Sequence, residues 1–166
     1  MENIKFKTGD VLICKGKGAL SKIIKGITKS EWSHTAQILI INNKVYVIDA
    51  QKEGILLRKF DFWCEEFDYQ FEVYRETKEG INESYFIDNA LQYSGVNYDF
   101  KGLSFGLLRT LLCYKEMPNK FRNNGSFWCS EYTMKLQGVQ DPEEYSPERV
   151  RQYLIQNNFE LITSNY

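Results

Sequence analysis

The chain has 166 residues, of which 43% are hydrophobic and 15% aromatic, and this composition is typical of a compact domain with one core rather than of a disordered chain. Its formal net charge of −1 implies no strong field for nucleic acid or an anionic membrane, and motifs that stack RNA bases are absent, so nucleic acid is not an expected partner. No stretch reaches the roughly 18 apolar residues of a membrane span. We therefore expect a single domain over residues 1–166, with no integral membrane segment.

The predicted elements begin with a strand and a helix. "GDVLICKG" (9–16) is typical of a strand that a Gly-Asp turn opens. "ALSKIIKGITKS" (19–30) predicts an amphipathic helix, because its apolar residues recur at helical spacing: Leu20, Ile23, Ile24 and Ile27.

A hairpin follows, and then a mixture of strands and helices. Two β-branched runs, 33–41 and 44–50, flank Asn42-Asn43, a pair that tolerates positive φ and so predicts a turn. Strands dominate the first half of the chain and helices the second half, which predicts an α+β fold. The remaining predicted elements are strands over 54–59, 70–75 and 159–163 and helices over 61–67, 82–95 (ending at Gly95), 100–113, 130–138 and 146–158.

The cysteines are scattered, and no CxxC pair occurs: they are Cys14, Cys64, Cys113 and Cys129. The N-terminal "MENIKFKTGD" lacks the apolar core of a secretion signal. Together these features predict free thiols in a reducing, cytoplasmic setting. The only histidine is His34 and no ligand pair is closely spaced, so neither a zinc site nor another cofactor is predicted. Cys14, Cys64 and Cys113 are interpreted as structural.

Cys129 stands apart from the other cysteines. It follows "NNGSFW" (123–128), where a loop over 123–126 leads into a predicted helix. Free backbone N–H groups and the positive end of the helix dipole stabilise a thiolate there, and the same N–H groups can hold an oxyanion. The position suits an activated nucleophile. The alternative is a structural thiol packed behind Trp128.

His34 is the candidate partner of that thiol. A nucleophilic thiolate needs an imidazole, and His34 opens a predicted strand after "KSEWS". The alternative is a histidine at a strand edge that a backbone carbonyl satisfies.

The register of the hairpin tests for a third group. If Asn42-Asn43 is a two-residue loop, Ala36 lies opposite Asp49 and His34 lies opposite Gln51. Asp49 then lies diagonally from His34 on the same face, where a carboxylate would fix the imidazole tautomer. The alternative is a charged residue that ends an exposed strand.

Five segments occur in an order that resembles a known family. They are "GDVL", "SHTAQILI", "VYVIDA", "GVNYD" and "FWCSEYT". Together they resemble the permuted papain-fold cysteine hydrolases of the YiiX-like group, related to the NlpC/p60 superfamily. The resemblance spans most of the chain, and in this group the histidine precedes the cysteine, as it does here. It implies an antiparallel sheet or half-barrel with the cysteine-bearing helix packed against it.

The resemblance also implies roles for individual residues. Cys129 would be the nucleophile, His34 the base, and Asp49 the third member, where the group commonly has glutamate; Gln51 is the reserve. Tyr98, in "SGVNYDF", resembles the tyrosine that precedes the cysteine in NlpC-type sequences and is a candidate for holding substrate or the oxyanion. Glu131 follows the family's "CSE" pattern, and its charge also suits a helix N-terminus.

The predicted activity is a cysteine hydrolase that acts through an acyl-enzyme on an amide bond of a small peptide-like or cell-wall-like substrate. An acyl-lipid esterase, thioesterase or acyltransferase of the same fold is the alternative. A binding module that has lost the chemistry is a further alternative. The sequence makes no prediction of oligomeric state.

Overall fold

A computed structural model of the chain describes residues 5–78, 81–112 and 125–165. Within these residues the strands are β1 (Val11–Lys15), β2 (His34–Ile41), β3 (Lys44–Gln51), β4 (Gly54–Lys59), β5 (Gln70–Glu76) and β6 (Phe159–Ser164). The α-helices are α1 (Ala19–Thr28), α2 (Phe60–Phe67), α3 (Glu83–Leu91), α4 (Phe100–Leu112), α5 (Cys129–Leu136) and α6 (Pro147–Gln156), and a short 3₁₀ helix covers Pro142–Glu144. The predicted α+β class is confirmed.

The six strands form one antiparallel sheet in the order β4-β3-β2-β1-β5-β6. Strand β1 lies in the interior of the sheet, and the side chains of Val11, Leu12, Ile13 and Cys14 are fully buried. A strand whose side chains are buried on both faces reads as a continuous apolar run rather than as an alternating one, which is what "VLIC" shows.

The hairpin between β2 and β3 has the predicted register. Asn42 and Asn43 both have positive φ, at 51° and 59°, and Ile41 pairs with Lys44 across them. Two positive φ values make the turn whose twist matches the flanking strands. The pairs continue to Gln37 opposite Ile48, so the next residues along, Ala36 and Asp49, face each other.

Helices cover both faces of the sheet. On one face, Leu12, Ala36 and Val73 pack with Phe60 and Trp63 of α2. The other face packs against α3, α5 and α6 through two clusters: Leu39, Ile48 and Ile55 with Phe86, Ala90 and Tyr132, and Val11, Ile13 and Tyr74 with Met134, Val150 and Leu154. The cysteine-bearing helix α5 therefore packs against β2 and β3, as expected.

The end of α3 differs most from the sequence-based expectation, by four residues. Helix α3 ends at Leu91, four residues before Gly95. Gly95 has φ +82° in the turn that follows, and its N–H donates to the carbonyl of Ile55 at 2.8 Å. The glycine signal was correct about positive φ but wrong about the helix end, because a connecting turn also uses positive φ. Helix α4 ends at Leu112 in the described residues, and Cys113, Asn123 and Asn124 lie outside them.

Within residues 5–78, 81–112 and 125–165, no helix is both long enough and apolar enough to cross a bilayer.

Candidate active site

The structure places Cys129 at the first residue of α5, with a side chain that is almost entirely buried. Trp128 is the N-cap residue in extended conformation, and its N–H donates to Oε2 of Glu131 at 3.4 Å. The first N–H groups of a helix have no partner within the helix, so the thiol lies beside donors that favour an anion.

Contacts with β2 hold α5 in place. Thr35 Oγ1 and Thr133 Oγ1 lie 2.9 Å apart in the buried interface, and Gln37 Nε2 donates to the carbonyl of Thr133 at 3.5 Å. Thr133 follows Cys129 by one helical turn, while Thr35 follows His34 directly. The interface therefore couples the position of the thiol to the strand that carries the imidazole.

His34 is the first residue of β2 and is buried. Its Nε2 lies 2.7 Å from Oδ2 of Asp49, and its ring stacks on Tyr69 with centroids 5.1 Å apart and planes 16° apart. Because Nε2 is hydrogen-bonded to the carboxylate, Nδ1 is the ring nitrogen that remains to interact with the thiol of Cys129.

The surroundings set the charge of the imidazole. Burial alone would lower the pKa of His34, but the net direction is well above its usual value of 6.5. Interactions with Tyr69 and Cys129, together with hydrogen bonds to Asp49 and Cys129, raise the pKa. These interactions favour the imidazolium, next to the thiol.

Asp49 is fully buried, and donors surround its carboxylate. Besides His34, Trp63 Nε1 donates to Oδ2 at 3.0 Å and Arg58 Nη1 donates to Oδ1 at 3.4 Å. A buried charge persists only when it is paired and hydrogen-bonded. These partners satisfy the buried carboxylate behind the imidazole.

Gln51 contacts both Asp49 and His34. Its Nε2 donates to Asp49 Oδ2 at 2.6 Å and lies 3.1 Å from His34 Nε2. When His34 Nε2 carries the proton that it shares with Asp49, it has no lone pair to accept from the amide. Gln51 therefore donates to the carboxylate, and of these two side chains Asp49 is the one hydrogen-bonded to the imidazole.

A cleft of about 740 Å³ opens over these side chains. Cys129, His34, Gln51 and Tyr98 line it. Residues 18–21 and Ile24, at and within the start of α1, line one side, and residues 66–69 line another. Tyr98 is half-buried, and burial raises the pKa of its phenol well above the usual value, with a further contribution from Cys129. A neutral phenol is a hydrogen-bond donor beside the thiol.

Sequence reasoning missed three residues of this site: Arg58, Trp63 and Tyr69. The sequence could have predicted Arg58. Lys52-Glu53 is a second two-residue turn, which pairs Gln51 with Gly54 and Asp49 with Leu56. Alternation then puts Arg58 on the same face as Asp49. Trp63 lies in α2 and Tyr69 lies just after it. No local sequence pattern specifies where α2 packs on the sheet.

The other described cysteines have structural surroundings. Cys14 is fully buried with Leu12 in the core under α2, and burial raises the pKa of its thiol. It lies opposite His34 in the sheet, a proximity that the sequence did not indicate. Burial, with Asp61 and Glu65, raises the pKa of the half-buried Cys64 thiol to about 11. All three described cysteines are free thiols.

Comparisons with known proteins identify a fold but no sequence family. No family model matches the chain, and no curated protein matches it. The chain is similar to the crystal structure of the metalloprotein YiiX from Escherichia coli O157:H7, with a TM-score of 0.71 and 18% sequence identity over 96% of this chain and 98% of that chain. At this identity the likeness concerns the fold, which is YiiX-like.

YiiX is described as a metalloprotein, and a metal ion bound by this chain would need three or four grouped ligands. In the described ranges, no three His, Cys, Asp or Glu side chains are grouped so that they could hold one. In the cleft, Cys129 and His34 supply one sulfur and one nitrogen, while Asp49 Oδ2 already accepts from His34, Gln51 and Trp63. This donor set does not fit a resident metal ion, which takes three or four protein ligands.

Proposed function

We propose that this chain is a cysteine-dependent hydrolase with a permuted papain-like fold, which cleaves an amide bond through an acyl-enzyme. The observation that carries the proposal is the position of His34, which lies between the carboxylate of Asp49, at 2.7 Å, and the thiol of Cys129 at the start of α5. Nucleophile, base and orienting carboxylate in that sequence of contacts are the arrangement of a catalytic triad.

In the first half of the reaction, Cys129 as a thiolate attacks the carbonyl carbon of the amide. The oxyanion that forms is held by the backbone N–H of Cys129 and by the hydroxyl of Tyr98, which lines the same cleft. His34 as an imidazolium gives its Nδ1 proton to the leaving nitrogen. The C–N bond breaks, the amine leaves, and a thioester remains on Cys129.

In the second half, water hydrolyses the thioester. His34, now neutral, takes a proton from the water, and the hydroxide attacks the thioester carbonyl. The C–S bond breaks, a carboxylic acid leaves, and the thiolate–imidazolium pair is restored. Asp49 holds the imidazole in one tautomer throughout and stabilises its cation.

The cleft is suited to a small peptide-like substrate. Its volume of about 740 Å³ lies in the range of small-molecule sites. A carboxylic ester or thioester is attacked by the same steps, and the apolar side chains of Leu20 and Ile24 on the α1 side favour an acyl-lipid substrate as the second candidate.

Alkylation of the thiols tests the proposal without a known substrate. Iodoacetamide at neutral pH, followed by peptide mass spectrometry, measures the rate at each cysteine. We expect Cys129 to react at least about tenfold faster than an unperturbed cysteine. Cys64 is a control within the same chain, because its pKa of about 11 makes it slow. We expect His34→Ala to slow alkylation of Cys129 and to leave Cys64 unchanged.

Turnover tests the nucleophile directly. A panel of fluorogenic peptide and N-acyl amides, with esters as the comparison, identifies a substrate for the wild-type chain. Cys129→Ser should then abolish turnover while the folded state is retained. Turnover retained by Cys129→Ser refutes the nucleophile, and an ordinary alkylation rate at Cys129 supports a binding module in its place.

A further inference from the structure

Helix α1 exposes apolar side chains that its sequence would bury. The helix is amphipathic, yet of its apolar residues only Ile24 is buried. Leu20 and Ile23 are exposed, Ile23 by 53%. The apolar side of α1 is thus turned only partly toward the core, and the rest of it faces outward.

Helix α4 has the same property. It is 13 residues long, and Gly102, Leu103 and Arg109 are its buried residues. Its other large apolar residues include four exposed ones: Phe100, Leu108, Leu111 and Leu112. Residues three and four positions apart are neighbours on a helix, so Leu108, Leu111 and Leu112 form one exposed apolar stretch.

The two helices are neighbours. They pack against each other, and Ile24 of α1 and Leu103 of α4 share a buried cluster with Trp128. The exposed residues on the two helices are called the apolar patch below: Leu20, Ile23, Phe100, Leu108, Leu111 and Leu112. Large apolar side chains exposed together on two neighbouring helices are typical of an interaction site.

The charges on the two helices have one sign. Neither α1 nor α4 contains an aspartate or glutamate, in a chain that has 22 such residues. The exposed polar side chains include Lys22, Lys29 just after the end of α1, and Lys101 on α4. The net charge of −1 for the whole chain does not show that the charged side chains of these two helices are all positive.

These charges decide between occupants of the patch. A symmetric dimer through the patch would bring each surface against its own copy, so lysines would face lysines across the interface, which is unfavourable. An anionic lipid surface is complementary: apolar side chains enter the boundary between headgroups and acyl chains, while lysines extend to the phosphates.

We propose that the apolar patch docks this protein onto the surface of an anionic lipid bilayer, without crossing it. Leu20 belongs both to the patch and to the lining of the cleft that holds Cys129. Docking through α1 and α4 therefore sets the mouth of the cleft against the bilayer. The proposal does not depend on the chemistry of Cys129, and it applies equally to a chain that binds without catalysis.

Sedimentation with sucrose-loaded vesicles tests the proposal on the full chain. Vesicles of phosphatidylcholine alone are compared with vesicles that contain phosphatidylserine. We expect binding to the anionic vesicles that weakens as salt is added. Ile23→Glu and Leu108→Glu should each weaken binding at least about tenfold. Lys22→Gln and Lys29→Gln should each weaken it about fivefold and leave the apolar residues intact.

Ile155→Glu is the matched control. Ile155 lies on α6 and is 52% exposed, almost the same as Ile23 at 53%. The substitution therefore introduces the same charge at an equally exposed helical position outside the apolar patch. It should bind vesicles like the wild-type chain. Circular dichroism checks that every variant is folded. Wild-type protein that stays in the supernatant overturns the proposal, as does equal loss in Ile155→Glu. A dimer that Ile23→Glu dissociates also overturns it, in favour of a second copy.

Discussion

At the scale of single residues, Asp49 has several interactions to lose. Its buried carboxylate accepts from His34, Gln51 and Trp63 at Oδ2 and from Arg58 at Oδ1. Removing one member of a buried polar group leaves the others unsatisfied. Asp49 therefore contributes both to the stability of the fold and to the orientation of the imidazole.

Asp49→Ala should lower turnover about 10²-fold, less than either Cys129→Ser or His34→Ala. It should also lower the free energy of unfolding by about 3 kcal/mol, because the donors around it lose a charged acceptor. Turnover assays and urea titrations measure the two effects. Gln51→Ala is the control for position, and an equal loss of turnover in that variant would transfer the orienting role to Gln51.

Glu131 is a second buried carboxyl group, and its surroundings raise its pKa. Burial raises its pKa to about 8, although the hydrogen bond from the Trp128 N–H lowers it, and the nearby carboxylates of Asp99 and Glu143 raise it further. The protonated form is therefore favoured in the folded chain. A group with a raised pKa stabilises the fold below its unfolded pKa and loses that contribution as pH rises through the folded value.

Wild-type stability should consequently fall as pH rises between about 4.5 and about 8, with a slope of up to about 1.4 kcal/mol per pH unit from this one group. Glu131→Gln has no proton to lose and should flatten that slope. Urea titrations at a series of pH values measure it. Equal slopes for the two chains would contradict the assignment to Glu131.

At the scale of elements, the hydrogen bond between Thr35 and Thr133 holds α5 on β2. It lies one residue from His34 and one helical turn from Cys129, so it helps to position these two side chains relative to each other. Replacing both threonines by valine retains the shape of the interface and removes both hydroxyls.

Either single substitution, Thr35→Val or Thr133→Val, should destabilise the chain by about 1–3 kcal/mol, because one hydroxyl is left buried without its partner. The double variant should cost less than the sum of the two, since no unsatisfied group remains. Thermal unfolding of all four chains measures the coupling. Strict additivity would show that the two hydroxyls do not interact.

The elements also explain which parts of the site could be predicted. The Asn42-Asn43 turn specifies a register by local chemistry, and that register predicted Asp49 on the face of His34. The Lys52-Glu53 turn specifies the register of β3 and β4 in the same way, and that register predicts Arg58 on the face of Asp49. Trp63 depends on where α2 packs over the sheet, and that contact joins residues far apart in the chain that share no periodic pattern.

The fold class could be predicted from the order of strands and helices, and the packing of α5 on the sheet from the resemblance. The surface could not. Leu20 and Ile23 have the spacing of buried residues in the sequence, but the structure leaves them exposed. Helical periodicity identifies an apolar side without identifying what covers it.

At the scale of the whole molecule, the sheet is protected unevenly. β1 has paired strands on both sides and helices over both faces. β6 is an edge strand whose residues are exposed or half-buried. Backbone amides with few buried neighbours open at low free energy, whereas core strands open only with global unfolding.

Hydrogen–deuterium exchange followed by mass spectrometry should therefore show slow exchange in peptides from β1 and β2 and fast exchange in peptides from β6. Peptides from β4, the opposite edge, should be intermediate, because Gly54 and Ile55 are buried in the contact with residues 95–96. Protection of β6 equal to that of β1 would contradict this order.

The position of the imidazole has one more consequence. His34 is the only histidine, so a nuclear magnetic resonance spectrum of uniformly ¹⁵N-labelled protein contains just one pair of imidazole-nitrogen signals. The Tyr69 ring stacks on the imidazole, so its ring current shifts the carbon-bound protons of the His34 ring upfield. This shift identifies those protons independently. One titration of an unmodified sample therefore reports which nitrogen keeps its proton and at what acidity the other loses it.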